Sequence, residues 1–300
     1  MKTTTKKLWR LGILTLVALN LLLGVSPAAP NEPTFATIDV PGATDTFAFE
    51  INSVGEIAGW YFDADGVGHG YRLSNGLFTT IDVPGSVNTF SSGMNPAGQI
   101  TGGYTDAENV DHGYLKSGDT FTPIDVPGAV STPEASMINP AGDIVGVYCD
   151  NDTCHGFLRS KGVFSNIDPP DSAFAWCTGI TPSGEIVGFY FDTKNAEHGF
   201  LLDKGGFSNI DVPGASWTDV FGNNARGDIV GAYGDSNGTT HGFLLHGGLF
   251  TTIDFPGALG TSAFSINPAG DIVGLYTGDD GHLHGYLLSR KQDNPLLSKK

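Results

Sequence analysis

The chain has 300 residues, with 15 Lys and Arg against 32 Asp and Glu, a formal net charge of −17. So acidic a surface repels nucleic acid and anionic lipid, and suits cations, neutral polymers or basic proteins instead. Glycine, at 43 residues, is about twice its ordinary usage, which signals many turns and close backbone contacts.

In chain order, the first element reads as a secretory signal. Lys2, Lys6, Lys7 and Arg10 make a positive n-region, Leu11 to Val25 an apolar h-region, and Ser26-Pro27-Ala28 a small-residue cleavage site. The h-region is short for a membrane span of about 20 residues. Cleavage after Ala29 would leave Pro30 first, so residues 1–28 are assigned to the signal peptide and 29–34 to a linker. No later segment is apolar enough to cross a bilayer. The expected product is soluble, secreted or periplasmic, with a net charge of about −21.

One unit then repeats six times. Phenylalanines fall at 35, 78, 121, 164, 207 and 250, always 43 apart, and open FATIDVPG, FTTIDVPG, FTPIDVPG, FSNIDPPD, FSNIDVPG and FTTIDFPG. Each unit continues to a turn such as NPAGD, then IVGxY, an acidic loop, and HGF or HGY. FTTIDV and its equivalents alternate apolar and polar residues, as a half-buried strand does. The segment before the Asn-Pro-Ala-Gly turn is rich in small residues, DIVGLY is β-branched, and HGFLL is short and apolar. Pro-Gly, Pro-Ala-Gly and Asn-Gly signals separate them. Four strands in about 43 residues match a propeller blade. A solenoid would need atypical end units, whereas here the first and last units match the middle ones. The expectation is an all-β, six-bladed β-propeller over 35–290, with a loose tail at 291–300.

The hairpins set a cross-strand pairing. Centring the turn on Lys204-Gly205 places His198 opposite Asp211. Equivalent turns place His69 opposite Asp82, His112 opposite Asp125, His155 opposite Asp168 and His241 opposite Asp254. Opposed side chains on a sheet lie about 5 Å apart at Cβ, so each pair reads as a structural clip. His284 ends the series without a following Phe-x-x-Ile-Asp strand, and Asp39 begins it without a preceding His-Gly-Phe strand. A ring lets them complete each other: strand 35–41 is expected beside 284–289, with His284 opposite Asp39. Crowding at the axis calls for small residues, so the pre-turn segment is placed innermost, followed by IVGxY, HGFLL and FTTIDV.

Cys149 and Cys154 bracket CDNDTC, and outside the cytoplasm a disulfide is expected there, leaving Cys177 as a buried thiol.

Features common to all six units are read as architecture, so a specific site should break the pattern. Unit four carries Pro169-Pro170-Asp171 followed by Phe174 and Trp176, and unit five carries Trp217 and Asp219. The two tryptophans, on neighbouring loops, are candidates for stacking on sugar rings or gripping a peptide, with Glu134 adding a carboxylate; the competing reading wedges them between blades. The longer loops after IDVPG and before His-Gly share one end of the ring, the expected functional face. Acidic loops holding Asp63 and Asp65, and Asp279 and Asp280, have the alternating carboxylates that can wrap Ca²⁺, although ordinary solvated turns fit them better. Nothing else suggests a cofactor. No HExxH, Walker loop or GxSxG elbow occurs.

The repeated G[DE]IVGxYxDxxxxxHGF text resembles the HAF repeats of extracellular bacterial proteins, over about residues 35–290. The residue between His and Phe or Tyr is glycine here in all six units. The resemblance implies export and a β-rich repeat fold, but no particular activity and no site residues. The function expected is an exported binding module for extracellular glycan or protein, with a monomer expected and no nucleic-acid partner. The alternatives are a polysaccharide hydrolase or lyase, or a Ca²⁺-stabilised envelope or matrix protein.

Overall fold

The computed structural model describes residues 33–289; residues 1–28, expected to be a signal peptide, and the tail expected at 291–300 lie outside the described residues. Among the described residues there are 24 strands, grouped as six four-stranded antiparallel sheets. The first blade contains β2 (Asp45–Ile51), β3 (Ile57–Phe62), β4 (Gly68–Ser74) and β5 (Leu77–Ile81), hydrogen-bonded in that order from the axis outward. The next four blades repeat this arrangement. The sixth is composite, in the order β1 (Thr34–Ile38), β24 (Leu283–Ser289), β23 (Ile272–Thr277), β22 (Gly260–Ile266). The protein is therefore a six-bladed β-propeller closed by its own first strand. No helix of the described residues is long and apolar enough to cross a membrane.

Local chemistry explains the hairpins. Asn75 and Gly76 have φ of 50° and 75°, and Lys204 and Gly205 have 50° and 82°. Positive φ at both central residues is the type I′ turn, whose twist matches that of the flanking strands. Each turn then fixes the register: Leu202 faces Phe207 and Phe200 faces Asn209.

The core lies between blades. One cluster joins Val273 and Leu287 of the sixth blade to Ala48, Ile51, Ile57 and Tyr71 of the first. Burying each such large side chain is worth roughly 1.5–3 kcal/mol. Two glycines per unit allow the close packing. A Cβ on the central glycine of IVGxY, as at Gly59 or Gly188, would overlap the carbonyl oxygen of Phe47 or Trp176 on the inner strand. A Cβ on the glycine after histidine, as at Gly70 or Gly199, would meet the carbonyl of Ile81 or Ile210 on the outer strand. It would also strike Ser91 or Val220 of the next blade. Glycine rather than alanine stands between His and Phe because the next blade occupies the space of the methyl group.

Ring closure follows the expected scheme with one adjustment. Ile38 pairs with Gly285 and Phe35 with Leu288, but the ladder stops at Ile38 instead of reaching residue 41. The chain turns away there because the Val40 N–H bonds Thr46 Oγ1 at 3.1 Å and Pro41 has no N–H to give. Closure is also visible at the axis, where Phe49 and Phe264 stack 4.5 Å apart and 2° from parallel. The predicted strand order is correct, but the reason for it holds only in part. Ala48, Ala135 and Ala263 are indeed small and fully buried, yet their neighbours on the inner strands include Phe49, Trp176, Phe221 and Phe264.

Candidate functional site

Each His-Gly histidine sits between two carboxylates. Through Nδ1 it meets the aspartate at the end of the outer strand, at 2.9 Å for His69–Asp82 and His155–Asp168, 3.0 Å for His198–Asp211 and 2.8 Å for His241–Asp254. The second blade departs from the expected pairing: His112 lies 4.0 Å from Asp125, beyond hydrogen-bond range, and bonds Asp106 instead at 3.0 Å. Asp106 belongs to the acidic loop just before the strand. Its counterparts Asp63 and Asp150 approach their own histidines at 3.4 Å; in the sixth unit that position is Gly278, and Asp280, two residues on, approaches His284 at 3.3 Å instead. A tyrosine directly opposite on the IVGxY strand covers each imidazole, with ring centroids 4.9–5.4 Å apart. Burial pulls the His69 pKa down, but the hydrogen bonds and charges of Asp82 and Asp63 outweigh it and hold the pKa above its ordinary value; Asp39 and Asp280 do the same for His284. These groups hold each blade together, pointing at their own strands and not at one another.

The acidic loops close on themselves. Asp63 Oδ1 accepts the N–H groups of Asp65 and Val67, each at 2.9 Å, and Asp280 Oδ1 accepts that of His282 at 3.0 Å. Asp65 and Asp279 are exposed. Among the described residues no three His, Cys, Asp or Glu side chains gather as a metal site. The carboxylates Asp63 and Asp280 serve the turn and the histidine. The Cys149–Cys154 disulfide is present, across neighbouring strands, and Cys177 is a buried thiol.

The end of the ring with the Pro-Ala-Gly turns is a belt. Asn95, Asn139 and Asn224 each accept turn N–H groups through Oδ1 and donate through Nδ2 to the carbonyl of the next blade's turn residue, at 3.1–3.4 Å. Beside it, Ser265 Oγ donates to Glu50 at 2.5 Å, and burial raises the Glu50 carboxyl to about 8.

The opposite, loop-side part of the axis holds a cavity of about 470 Å³. Its wall comes in large part from two registers of the inner strands β2, β6 (Asn88–Met94), β10 (Ser131–Ile138), β14 (Ser172–Ile180), β18 (Trp217–Asn223) and β22, with Trp60, Phe62, Tyr104, Asp111, His112 and Phe189 contributed by strands behind them. One register reads Phe49, Ser92, Ser136, Thr178, Phe221 and Phe264 around the ring. Phenylalanines of the fifth, sixth and first blades thus face hydroxyls of the second, third and fourth. The other register places Phe90, Glu134 and Trp176 on successive blades, and all three line the cavity. Ser92 Oγ donates to Glu134 Oε1 at 3.1 Å, and Trp176 Nε1 donates to Ser136 Oγ at 2.8 Å. Burial pushes the Glu134 carboxyl up, with the Ser92 bond opposing it. Trp60 stacks on Phe47 at 3.6 Å and meets Phe90 edge-on at 5.0 Å.

Of the residues expected at a site, the structure brings Glu134 and Trp176 together, on strands and not on loops. Trp217 does not join them: it opens β18, and its indole lies over Gly234. Phe174 packs edge-on against Phe191 at 5.5 Å. Asp219 faces Glu197 of the preceding blade and is not in the cavity lining; burial, then the charge of Glu197, raises its carboxyl. Two tryptophans side by side on neighbouring loops are thus ruled out. Both lie on strands, and Trp217 stands at the position of Phe174, two residues nearer the loop end than the Trp176 position, which in its own strand is held by Asp219. Sequence reading missed Phe49, Phe90, Phe221 and Phe264. Their signal is that register positions on the inner strand disagree between units while the surrounding text repeats.

No family model matches the sequence, and a search of curated proteins finds no match. Solved structures match in fold. TolB from Acinetobacter baumannii is 17% identical with a TM-score of 0.60, covering 80% of this chain; this chain in turn spans 65% of the TolB chain. The Aleuria aurantia lectin, in complex with Fucα1-6GlcNAc, is 11% identical with a TM-score of 0.52, over 81% of this chain and 91% of its own. AofleA from Arthrobotrys oligospora is 14% identical with a TM-score of 0.56, over 87% and 88%.

Proposed function

We propose that this propeller is an exported binding module whose ligand, a group of an extracellular glycan or protein, enters the axial cavity from the loop side. The observation that carries the reading is the break in repeat symmetry at the inward registers. Phe49, Ser92, Ser136, Thr178, Phe221 and Phe264 differ where a purely architectural ring has no reason to differ. A volume of about 470 Å³ is that of a small-ligand pocket, and aromatic walls with a few convergent polar groups are its usual lining. The amino-terminal signal segment and the resemblance to HAF repeats support export. The Aleuria aurantia lectin uses the same fold to hold a fucosylated sugar, which supports a binding role.

The test is a binding screen of extracellular glycans and envelope proteins against wild type, Trp176→Ala, Phe264→Ala and Trp217→Ala. Loss of binding in the first two variants, with retention in Trp217→Ala and an unchanged melting temperature, is the expected result. Binding that ignores both cavity variants would overturn the assignment.

A further inference from the structure

Glu134 is a carboxylate in an aromatic cavity without a protein cation to balance it. Among the described residues no lysine or arginine lines that cavity. The imidazole of His112, which does, is held by Asp106 at 3.0 Å. Glu134 Oε1 accepts from Ser92, while among the described residues Oε2 has no hydrogen-bond partner. Of the hydroxyls on the register of Phe49 and Phe264, Ser92 donates to Glu134 and Thr178 to the Val220 carbonyl, while Ser136, which accepts from Trp176, keeps its own proton. Phe90 and Trp176 flank Glu134 on the neighbouring blades, and Phe221 and Phe264 face it across the axis.

From this arrangement we infer that the cavity takes an organic ammonium group, seated against Glu134 and surrounded by aromatic rings. The inference rests on the binding-module reading and names the chemistry of its ligand. Ring faces attract a cation through their quadrupole, more strongly where water is excluded. A carboxylate buried without a counter-ion is costly, and a ligand cation removes that cost. The net charge of −17 draws cations toward the protein as a whole. An alkylammonium fits better than a metal ion, because the wall is mostly aromatic and, among the described residues, its two carboxylates, Glu134 and the exposed Asp111, do not gather with a third His, Cys, Asp or Glu as a metal site.

The test is calorimetric titration of the full chain with choline and with 3,3-dimethyl-1-butanol, which has the same shape and no charge. A peptide bearing one lysine and neutral monosaccharides complete the set. Choline or the lysine peptide should bind at least about tenfold more tightly than the neutral alcohol, and the one that binds identifies a free or a protein-borne ammonium. Glu134→Gln, the same size without the charge, should remove that preference while leaving the melting temperature within a few degrees. Equal binding of choline and its neutral isostere would overturn the ammonium assignment but leave the cavity as a ligand site. So would Glu134→Gln binding choline as wild type does. Sugar binding lost in Phe264→Ala, with no ammonium binding, would also overturn the ammonium alone. If no probe in this set or in the broader screen binds in a way that cavity variants alter, both readings fall.

Discussion

His284 Nδ1 lies 3.0 Å from Asp39 Oδ1, across a sequence separation of 245 residues. The two ends of the repeat array are therefore joined by the same side-chain pair that is used within single blades. His284→Ala and Asp39→Ala, combined in a double-mutant cycle, should show a coupling of about 0.2–1 kcal/mol, as for any exposed cross-strand pair. Deleting residues 30–38 should do far more, because it strips the outer strand from the sixth blade and bares the edge of β24. A melting temperature that barely changes on that deletion would show that the ring does not depend on its clasp.

Thermal stability should peak on the acidic side of neutrality. The loop carboxylates Asp63 and Asp280, held low first by turn N–H groups, contribute fully above their ordinary value of 3.8 and fail as the pH falls below it. His69 and His284 have raised values, so their contribution is complete below 6.5 and disappears as the pH climbs through the folded value. Glu50, raised by burial from 4.5 to about 8, keeps its proton in the folded state while the unfolded chain has lost it, so folding weakens across that interval. Melting curves between pH 3 and 9 should place the maximum at roughly pH 4–5. Glu50→Gln should gain on wild type progressively as the pH rises from 4.5 to about 8, level off above that, and show no gain below 4.5.

Gly188→Ala should destabilise by about 1–3 kcal/mol or more, since the added methyl overlaps the Trp176 carbonyl and the strand must yield. Gly162→Ala is the contrast: no atom lies within reach of its Cβ, and only the positive φ of 82° opposes the change. Urea denaturation of the two variants should rank Gly188→Ala as the more damaged.

The HGF and HGY units contain a comparison of their own. Tyr71 and Tyr286 are fully buried and their hydroxyls find no partner, whereas the Tyr114 hydroxyl meets Ser91 Oγ at 2.8 Å. Phe157, Phe200 and Phe243 occupy the same place in the other three units. Tyr286→Phe should therefore stabilise by up to about 1–3 kcal/mol, and Tyr114→Phe should cost about 0.5–1.5 kcal/mol by orphaning Ser91. Chemical denaturation of the two proteins decides it; a loss in Tyr286→Phe would mean the hydroxyl has a partner.

Asn75-Gly76 and its equivalents set hairpin register by backbone conformation, which is why four His–Asp pairings were readable in advance; the fifth, His284 with Asp39 across the closure, has no turn and was readable because the repeat leaves both residues unmatched. In the sixth, the strands keep the expected register, with Gly113 opposite Ile124, yet His112 bonds Asp106 and stands 4.0 Å from Asp125, so register alone did not fix the side-chain contact. Trp176 shows the limit of reading a site from sequence. Its residue type stood out, but its assignment to a loop did not survive, because the inner strand of unit four begins at Ser172 and carries it into the axial wall.

The 43-residue period, the turn chemistry and the unmatched Asp39 and His284 determined a closed ring of six four-stranded blades, because each of these is a local or nearest-neighbour constraint that repeats in the text. Which side chains meet at the axis was decided only in three dimensions. Phe49 and Phe264 are 215 residues apart in the chain yet stack at 4.5 Å, and Glu134 meets its serine and tryptophan from blades on either side. Six strands converging on one line bring together positions that no local pattern relates, and the character of the cavity comes from that convergence.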